Sequence, residues 1–184
     1  MQAARGASLT SSDSDSSPDD RMPAARRVRL LVLVAALAFF ADVVSKMVAV
    51  DQLSTRPPIS LLGGVLTLRL TRNPGAAFSV GTEATVLLSL VAIAVIIVVV
   101  VLARRTRSGL WAVALGLLLG GAAGNVTDRL LRSPGPLRGH VVDFLELPNW
   151  PVFNLADSAI CVAAVFIVIQ SIRGVHLDGT RTGS

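Results

Sequence analysis

The sequence predicts an all-α membrane protein with four transmembrane helices and a small extracytoplasmic β-sheet between the first two. Three observations lead to this prediction. The 184-residue chain is 52% hydrophobic and only 16% charged, whereas soluble domains carry about 25% charged residues. Residues 84–103 contain no charge over 20 positions, and about 20 apolar residues are needed for a helix to cross the hydrocarbon core. Leucines alternate with polar residues over 65–71, which is the period of a half-buried strand.

The chain divides into three parts. Residues 1–27 are expected to form a disordered cytoplasmic tail, because their first 20 positions are rich in Ser and Asp and poor in large apolar residues. Residues 28–173 form the predicted membrane domain, and residues 174–184 a cytoplasmic C-terminal tail. Within the membrane domain the expected spans are 28–50, 84–103, 110–131 and 153–172.

The basic residues predict the orientation of these spans. They cluster before the first span, between the second and third, and after the fourth: Arg21, Arg26, Arg27, Arg29, Arg104, Arg105, Arg107, Arg173 and Arg181. With four spans these segments share one side, which the positive-inside rule makes cytoplasmic. Loops 51–83 and 132–152 then face outward, although they also contain arginines. Since the net charge of +5 follows this loop pattern, we expect no nucleic-acid partner.

Two local features refine the elements. Gly63 and Gly64 precede the predicted strand over 65–71 and suggest a hairpin turn, with an irregular loop as the alternative. Gly116, Gly120 and Gly124 recur every four residues in the third span. They share roughly one helical face, so we expect a neighbouring helix to approach closely there.

Polar residues in and beside the spans are the candidates for function. Ionisable groups at membrane depth are costly and often functional, and under the predicted topology these all lie near the outer interface. They are Asp42 and Lys46 in the first span, Asn73 after the strand, Asn125, Asp128 and Arg129 in the third span, Asp143 in the second outer loop, and Asn154 and Asp157 at the start of the fourth.

Several of these residues also have a structural interpretation. Asp42 and Lys46 could form a simple i,i+4 ion pair instead of facing a substrate. Asp128 is expected to tie the third span to its neighbours. Asn154 could cap the fourth helix, which would place Asp157 at the third position after the cap, where a carboxylate suits the helix dipole. This interpretation needs no catalysis by Asp157.

Two carboxylates held together at a partly dry interface suggest a specific chemistry. They cannot both ionise easily, so they share one proton. The ionised carboxylate can take a proton from water while the neutral one donates to a carbonyl oxygen or a leaving amine. No metal site competes with this hypothesis, because His140 and His176 are the only histidines and they are predicted on opposite sides of the membrane.

Five motifs in order resemble the lipoprotein signal peptidases, also called signal peptidase II. They are DVVSK from Asp42, NPGAAF from Asn73, GNVTDR from Gly124, VVDF from Val141 and FNLAD from Phe153, and the resemblance spans about residues 30–172. Members of that family are four-span bacterial aspartic proteases. The motif aspartates that form their catalytic dyad correspond to Asp143 and Asp157. The other motif residues, implied to bind substrate or support the dyad, are Asp42, Lys46, Asn73, Asn125, Asp128, Arg129 and Asn154.

The resemblance also implies a substrate and a location. The substrate would be a prolipoprotein whose cysteine already carries a diacylglyceryl group, cut just before that cysteine. The enzyme would sit in the bacterial cytoplasmic membrane with both termini cytoplasmic and its active site near the extracytoplasmic face. Membrane lipid and the prolipoprotein are the expected partners. We expect no cofactor and no metal, and a monomer is sufficient for the chemistry.

Two other classes of protein compete with a peptidase. In a proton-coupled carrier the Asp, Lys and Arg residues would form an ion path, but the cytoplasmic halves of the predicted spans lack polar residues to continue it. Broken helices at the midplane are also missing from the pattern. A structural protein that assembles through the glycines of the third span would leave the outer polar residues unexplained.

Overall fold

The computed structural model describes residues 24–75 and 82–182. Its elements, in chain order, are helix α1 (Ala24–Leu53), strand β1 (Ile59–Leu61), strand β2 (Leu66–Asn73), helix α2 (Thr82–Ala103), helix α3 (Gly109–Leu131), strand β3 (Val141–Glu146) and helix α4 (Leu155–Ile172). A 3-10 turn over Leu62–Gly64 joins β1 to β2. Most of the predicted N-terminal tail and part of the NPGAAF motif lie outside the described residues.

All four helices are long and apolar enough to cross a membrane, in agreement with the expected number of spans. The first helix begins at Ala24 rather than 28 and ends at Leu53 rather than 50. Alanine and arginine are good helix formers, so the helix continues beyond the strictly apolar stretch that hydropathy detects. Many large apolar side chains of these helices are exposed in the isolated chain, as expected for surfaces that contact lipid.

Helix α3 is the centre of the bundle. Half of the residues in its apolar span are buried, compared with 17% or less in each of the other three spans. A Cβ at Gly116 would lie 2.8 Å from the carbonyl oxygen of Leu31, and one at Gly120 would lie 2.8 Å from Cβ of Ala38. The predicted glycine face is therefore confirmed as the surface on which α1 packs.

A second close approach involves α4. A Cβ at Gly121 would lie 2.6 Å from the carbonyl oxygen of Ala156 in its first turn, a contact that the four-residue spacing did not indicate. Gly124 faces Asp42 so closely that a methyl group there would overlap its carboxylate. The glycines thus bring α1 and α4 onto neighbouring faces of α3.

The sheet has three antiparallel strands in the order β1-β2-β3. The predicted strand over 65–71 is confirmed as β2, and the predicted hairpin turn contains Gly63 at φ 67°. The prediction that the sheet lies between the first two spans was incomplete. Its third strand comes from the segment before α4, which had been expected to be a loop. β3 pairs with the edge of β2 that β1 does not cover. The backbone N–H and C=O groups along that edge therefore have hydrogen-bond partners.

The sheet packs against the C-terminal end of α1. Phe144 of β3 is buried with Ala49 and Leu53, and Leu68 and Leu70 of β2 pack against the same cluster. Thr71 pairs with Asp143 and Asn73 pairs with Val141. Because alternate residues of a strand share a face, this register places Asn73 and Asp143 on the same side of the sheet.

Replacing Gly120 by Val should destabilise the bundle, because the added methyl groups meet the backbone of α1. Overpacking of this kind costs roughly 1–3 kcal/mol. Thermal unfolding in detergent should therefore show a lower midpoint for Gly120→Val. The matched control is Ala94→Val, at an exposed position of α2, which should unfold like the wild type. Equal midpoints for all three proteins would contradict the assigned α1–α3 contact.

Candidate active site

The predicted polar residues meet at one end of the bundle. α1 supplies Asp42 and Lys46, α3 supplies Asn125 and Asp128, the start of α4 supplies Asn154 and Asp157, and the sheet supplies Asn73 and Asp143. Hydrogen bonds and ion pairs connect all eight into one continuous network. Arg129 lies beside this network without a hydrogen bond into it from its Nε.

Asp143 is held by two side-chain amides. Asn73 donates from Nδ2 to Oδ2 of Asp143 at 2.9 Å, and Asn154 donates from Nδ2 to Oδ1 at 2.5 Å. The Asp143 residue is only 2% exposed. Each carboxylate oxygen therefore has one neutral donor, and neither oxygen is paired directly with a positive charge among the described residues.

Asp157 belongs to a capping box at the start of α4. Its backbone N–H donates to Oδ1 of Asn154 at 2.9 Å, and the backbone N–H of Asn154 donates to Oδ2 of Asp157 at 3.2 Å. Asn125 donates from Nδ2 to the other oxygen of Asp157 at 2.8 Å. The predicted capping role of Asn154 is confirmed, and the cap itself brings Asp157 next to Asp143.

The environment of Asp143 changes its acidity. Its pKa is raised to about 6, mainly by burial and additionally by the negative charge of Asp157, while the hydrogen bonds from Asn73 and Asn154 and the charge of Lys46 oppose the increase. A carboxyl group with a pKa near the working pH can exist in both protonation states, which suits an acid or base catalyst.

Lys46 organises the layer beneath the two carboxylates. Its Nζ forms ion pairs with Oδ2 of Asp42 at 2.7 Å and Oδ2 of Asp128 at 2.9 Å, and it donates to Oδ1 of Asn125 at 2.9 Å. The expected i,i+4 ion pair with Asp42 is present but is one part of a larger network. Since Asp42 is 0% and Lys46 1% exposed, their burial favours a supporting role over contact with a substrate.

The two acidic partners of Lys46 fix other elements. Oδ1 of Asp42 accepts from the backbone N–H of Ala156 at 2.9 Å, which anchors the first turn of α4 to α1. Oδ2 of Asp128 accepts from the backbone N–H of Val142 at 3.2 Å, and Oδ1 of Asp128 accepts from Arg132. Asp128 thus ties α3 to the strand that carries Asp143, as its proposed tethering role requires.

Arg129 lines a small cavity between α2, α3 and α4. The cavity has a volume of about 190 Å³ and is lined by Leu88, Ala92, Val95, Leu118, Ala122, Asn125, Arg129 and Ile160. Its wall is mainly apolar, with Asn125 and Arg129 as its polar members. Asn125, one of these two polar members, donates to Asp157. The cavity therefore joins an apolar space to the neighbourhood of the two carboxylates.

Two hydroxyl groups of α2 that were not among the predicted site residues bind the neighbouring segments. Ser89, fully buried in α2, donates to the carbonyl oxygen of Leu137 at 2.8 Å, and Thr85 donates to that of Pro74. Polar residues inside an otherwise apolar span were the available signal. Within 24–75 and 82–182, no group of three or more His, Cys, Asp or Glu side chains is placed to hold a metal ion.

Comparisons with known proteins agree with this architecture. A family model described as signal peptidase (SPase) II matches residues 34–173. The chain is 46% identical over 170 residues to the lipoprotein signal peptidase of Rhodococcus jostii, covering 92% of this chain and 85% of that protein. It is 48% identical over 161 residues to that of Mycobacterium avium, covering 88% and 87%.

The fold is also found among solved structures. A bacterial membrane enzyme solved by the in meso method superimposes with a TM-score of 0.69 at 26% identity, over 78% of this chain and 92% of that one. A second such enzyme gives a TM-score of 0.67 at 23% identity, over 84% and 94%, and at that identity it supports the fold alone. With the family model and the two curated relatives, these findings show that the chain belongs to the signal peptidase II family of membrane proteases.

Proposed function

We propose that this protein is an aspartic endopeptidase that removes signal peptides from diacylglyceryl-modified prolipoproteins. It cuts before the lipidated cysteine at the outer face of the bacterial cytoplasmic membrane. The observation that carries the proposal is the double role of Asn154, which donates to Asp143 and forms the capping box with Asp157. The names of the related proteins support the substrate class.

In this mechanism Asp143 and Asp157 share one proton. The ionised carboxylate removes a proton from the attacking water, and the neutral one donates its proton to the carbonyl oxygen of the scissile amide. The carboxyl group that took the proton from water then passes it to the departing nitrogen. As the C–N bond breaks and the carbonyl re-forms, the other carboxylate takes back a proton from a hydroxyl of the tetrahedral intermediate, which restores the singly protonated pair. Because the two groups titrate as a unit, the acid and base roles belong to the pair.

The neighbouring amides suit a pair that keeps one proton. An adjacent cation would stabilise the ionised form of both carboxylates. Here the direct side-chain donors to the pair are Asn73, Asn125 and Asn154, which are neutral. The Lys46 ammonium contacts Asn125 rather than either carboxylate. The Lys46 ammonium is thus close enough to orient the side chain of Asn125. Asn125 in turn lies between this charge and Asp157.

Arg129 and the apolar cavity supply a means of holding the substrate. An arginine fork can donate two parallel hydrogen bonds to oxygens of a peptide, and the Nε of Arg129 has no hydrogen-bond partner among the described residues. The apolar wall between α2, α3 and α4 suits a substrate that carries hydrocarbon. A lipid-bearing peptide could therefore reach the dyad from within the bilayer.

The charge pattern supports the proposed orientation. Arginines concentrate around the start of α1, between α2 and α3, and after α4, which places the termini in the cytoplasm. The polar network lies at the opposite ends of these helices, near the sheet. All nine candidate residues belong to one chain, so a monomer suffices. A carrier is disfavoured because the network does not continue towards the cytoplasmic ends.

Changing either aspartate to Asn should abolish turnover, because each variant leaves one titratable carboxyl where two are required. Loss of general acid–base catalysis typically costs roughly 100-fold or more. Cleavage of a diacylglyceryl-modified prolipoprotein in detergent would be compared for wild type, Asp143→Asn and Asp157→Asn. Asp51→Asn, at an exposed position of α1, is the matched control and should cut normally. Wild-type cleavage by either dyad variant would remove that residue from the mechanism.

Stability should also depend on pH through Asp143. Its pKa is raised from 3.8 unfolded to about 6 in the folded protein, so the folded state binds this proton more tightly. The resulting stabilisation is present below pH 4 and is lost as the pH rises through about 6. The wild type should therefore have a higher unfolding midpoint than Asp143→Asn at low pH, and this difference should decrease as the pH rises through about 6. A difference that stays constant or increases would contradict the assigned pKa shift.

A further inference from the structure

A second cavity lies beside the outer end of α3, away from the dyad. Its volume is about 630 Å³, and it is lined by Arg72, Leu131, Arg132, Ser133, Pro134 and His140. Neither Asp143 nor Asp157 lines it. Arg72 pairs with Val142 in the sheet, one position from Asp143, so side-chain alternation directs Arg72 to the face opposite the dyad. The cavity is therefore separate from the proposed active site.

The lining of this cavity is positively charged. It contains two arginines and no carboxylate. Arg72 is exposed and forms no ion pair among the described residues. Arg132 donates to Asp128, and Asp128 and Asp42 together balance the charges of Arg132 and Lys46. Arg72 therefore gives the cavity its net positive charge, and arginine matches the geometry of a phosphate group.

The cavity also has an apolar wall at the level of the predicted membrane surface. Leu131, the last residue of α3, is 80% exposed, and Leu130 beside it is 40% exposed. Pro134 adds a further apolar surface. A ligand that fits both walls has an anionic head and a hydrocarbon body. Free phosphate would use the arginines and leave the leucines uncovered.

We propose that this cavity binds the phosphate of an anionic phospholipid headgroup from the outer leaflet. Arg72 and Arg132 contact the phosphate, Ser133 and His140 offer further polar contacts, and Leu131 lies against the acyl chains. The site would hold the outer end of α3, and with it Asp128 and Arg129, at a fixed depth in the membrane. The proposal concerns lipid binding alone and does not depend on peptidase activity.

The test is calorimetric titration of a short-chain phosphatidylglycerol into the purified protein in a neutral detergent. Phosphatidylcholine of the same chain length and inorganic phosphate are titrated in parallel. The variants are Arg72→Gln and Arg72→Lys. Arg69→Gln is the matched control, because it removes an arginine from the same strand outside this cavity, where Arg69 pairs with Glu146 at 2.9 Å. Unfolding midpoints without lipid establish that all variants fold.

Phosphatidylglycerol should bind the wild type more tightly than either control ligand. Arg72→Gln should weaken this binding about fivefold, Arg72→Lys should weaken it less, and Arg69→Gln should leave it within about twofold of the wild type. If Arg72→Gln and Arg69→Gln weakened phosphatidylglycerol binding equally, the effect would come from the general positive charge of the surface. That result would overturn the proposal. Binding of inorganic phosphate or phosphatidylcholine as tight as that of phosphatidylglycerol would also overturn it.

Discussion

The site depends on the hydrogen bonds of one residue, Asn154. Its side-chain oxygen caps α4, its backbone N–H holds Asp157, and its side-chain amide donates to Asp143 and Asn125. The residue is completely buried, so water does not compete for these bonds and each is worth more than it would be on the surface. The start of a helix, a strand and the centre of the bundle are thereby fixed to one another through the residue that bonds to both Asp143 and Asp157.

A second constraint is the cost of placing charges in an apolar bundle. A buried charge requires partners, and the structure meets this need by separating two layers. Lys46 with Asp42 and Asp128 forms the charged layer, which joins α1 to α3, to α4 through Ala156 and to the sheet through Val142. The amides of Asn73, Asn125 and Asn154 form the second layer, around Asp143 and Asp157. The close packing of the helices through Gly120 and Gly121 makes both layers possible.

Local patterns were sufficient to predict the four helices, β2, the glycine face and the cap at Asn154, because each is determined by residues near in sequence. The third strand was missed because it forms by pairing with β2 about 70 residues away, as the Asn73–Asp143 bond illustrates. The contacts of Ser89 with Leu137 and of Asp128 with the backbone of Val142 also join different elements, across 48 and 14 residues. For Asp157, spacing could not separate a capping role from a catalytic one. In the structure Asp157 completes the capping box, and the same carboxylate belongs to the proposed dyad, so the two interpretations are compatible.

The most direct test of the account is the titration of the Asp143 carboxyl carbon by NMR, in wild type and in Asp157→Asn. The central claim is that the two carboxylates are close enough to share a proton. Because the charge of Asp157 raises the pKa of Asp143, neutralising Asp157 should lower that pKa from its wild-type value of about 6. An unchanged pKa in a folded Asp157→Asn protein would mean that the carboxylates do not interact, and it would contradict the proposed dyad.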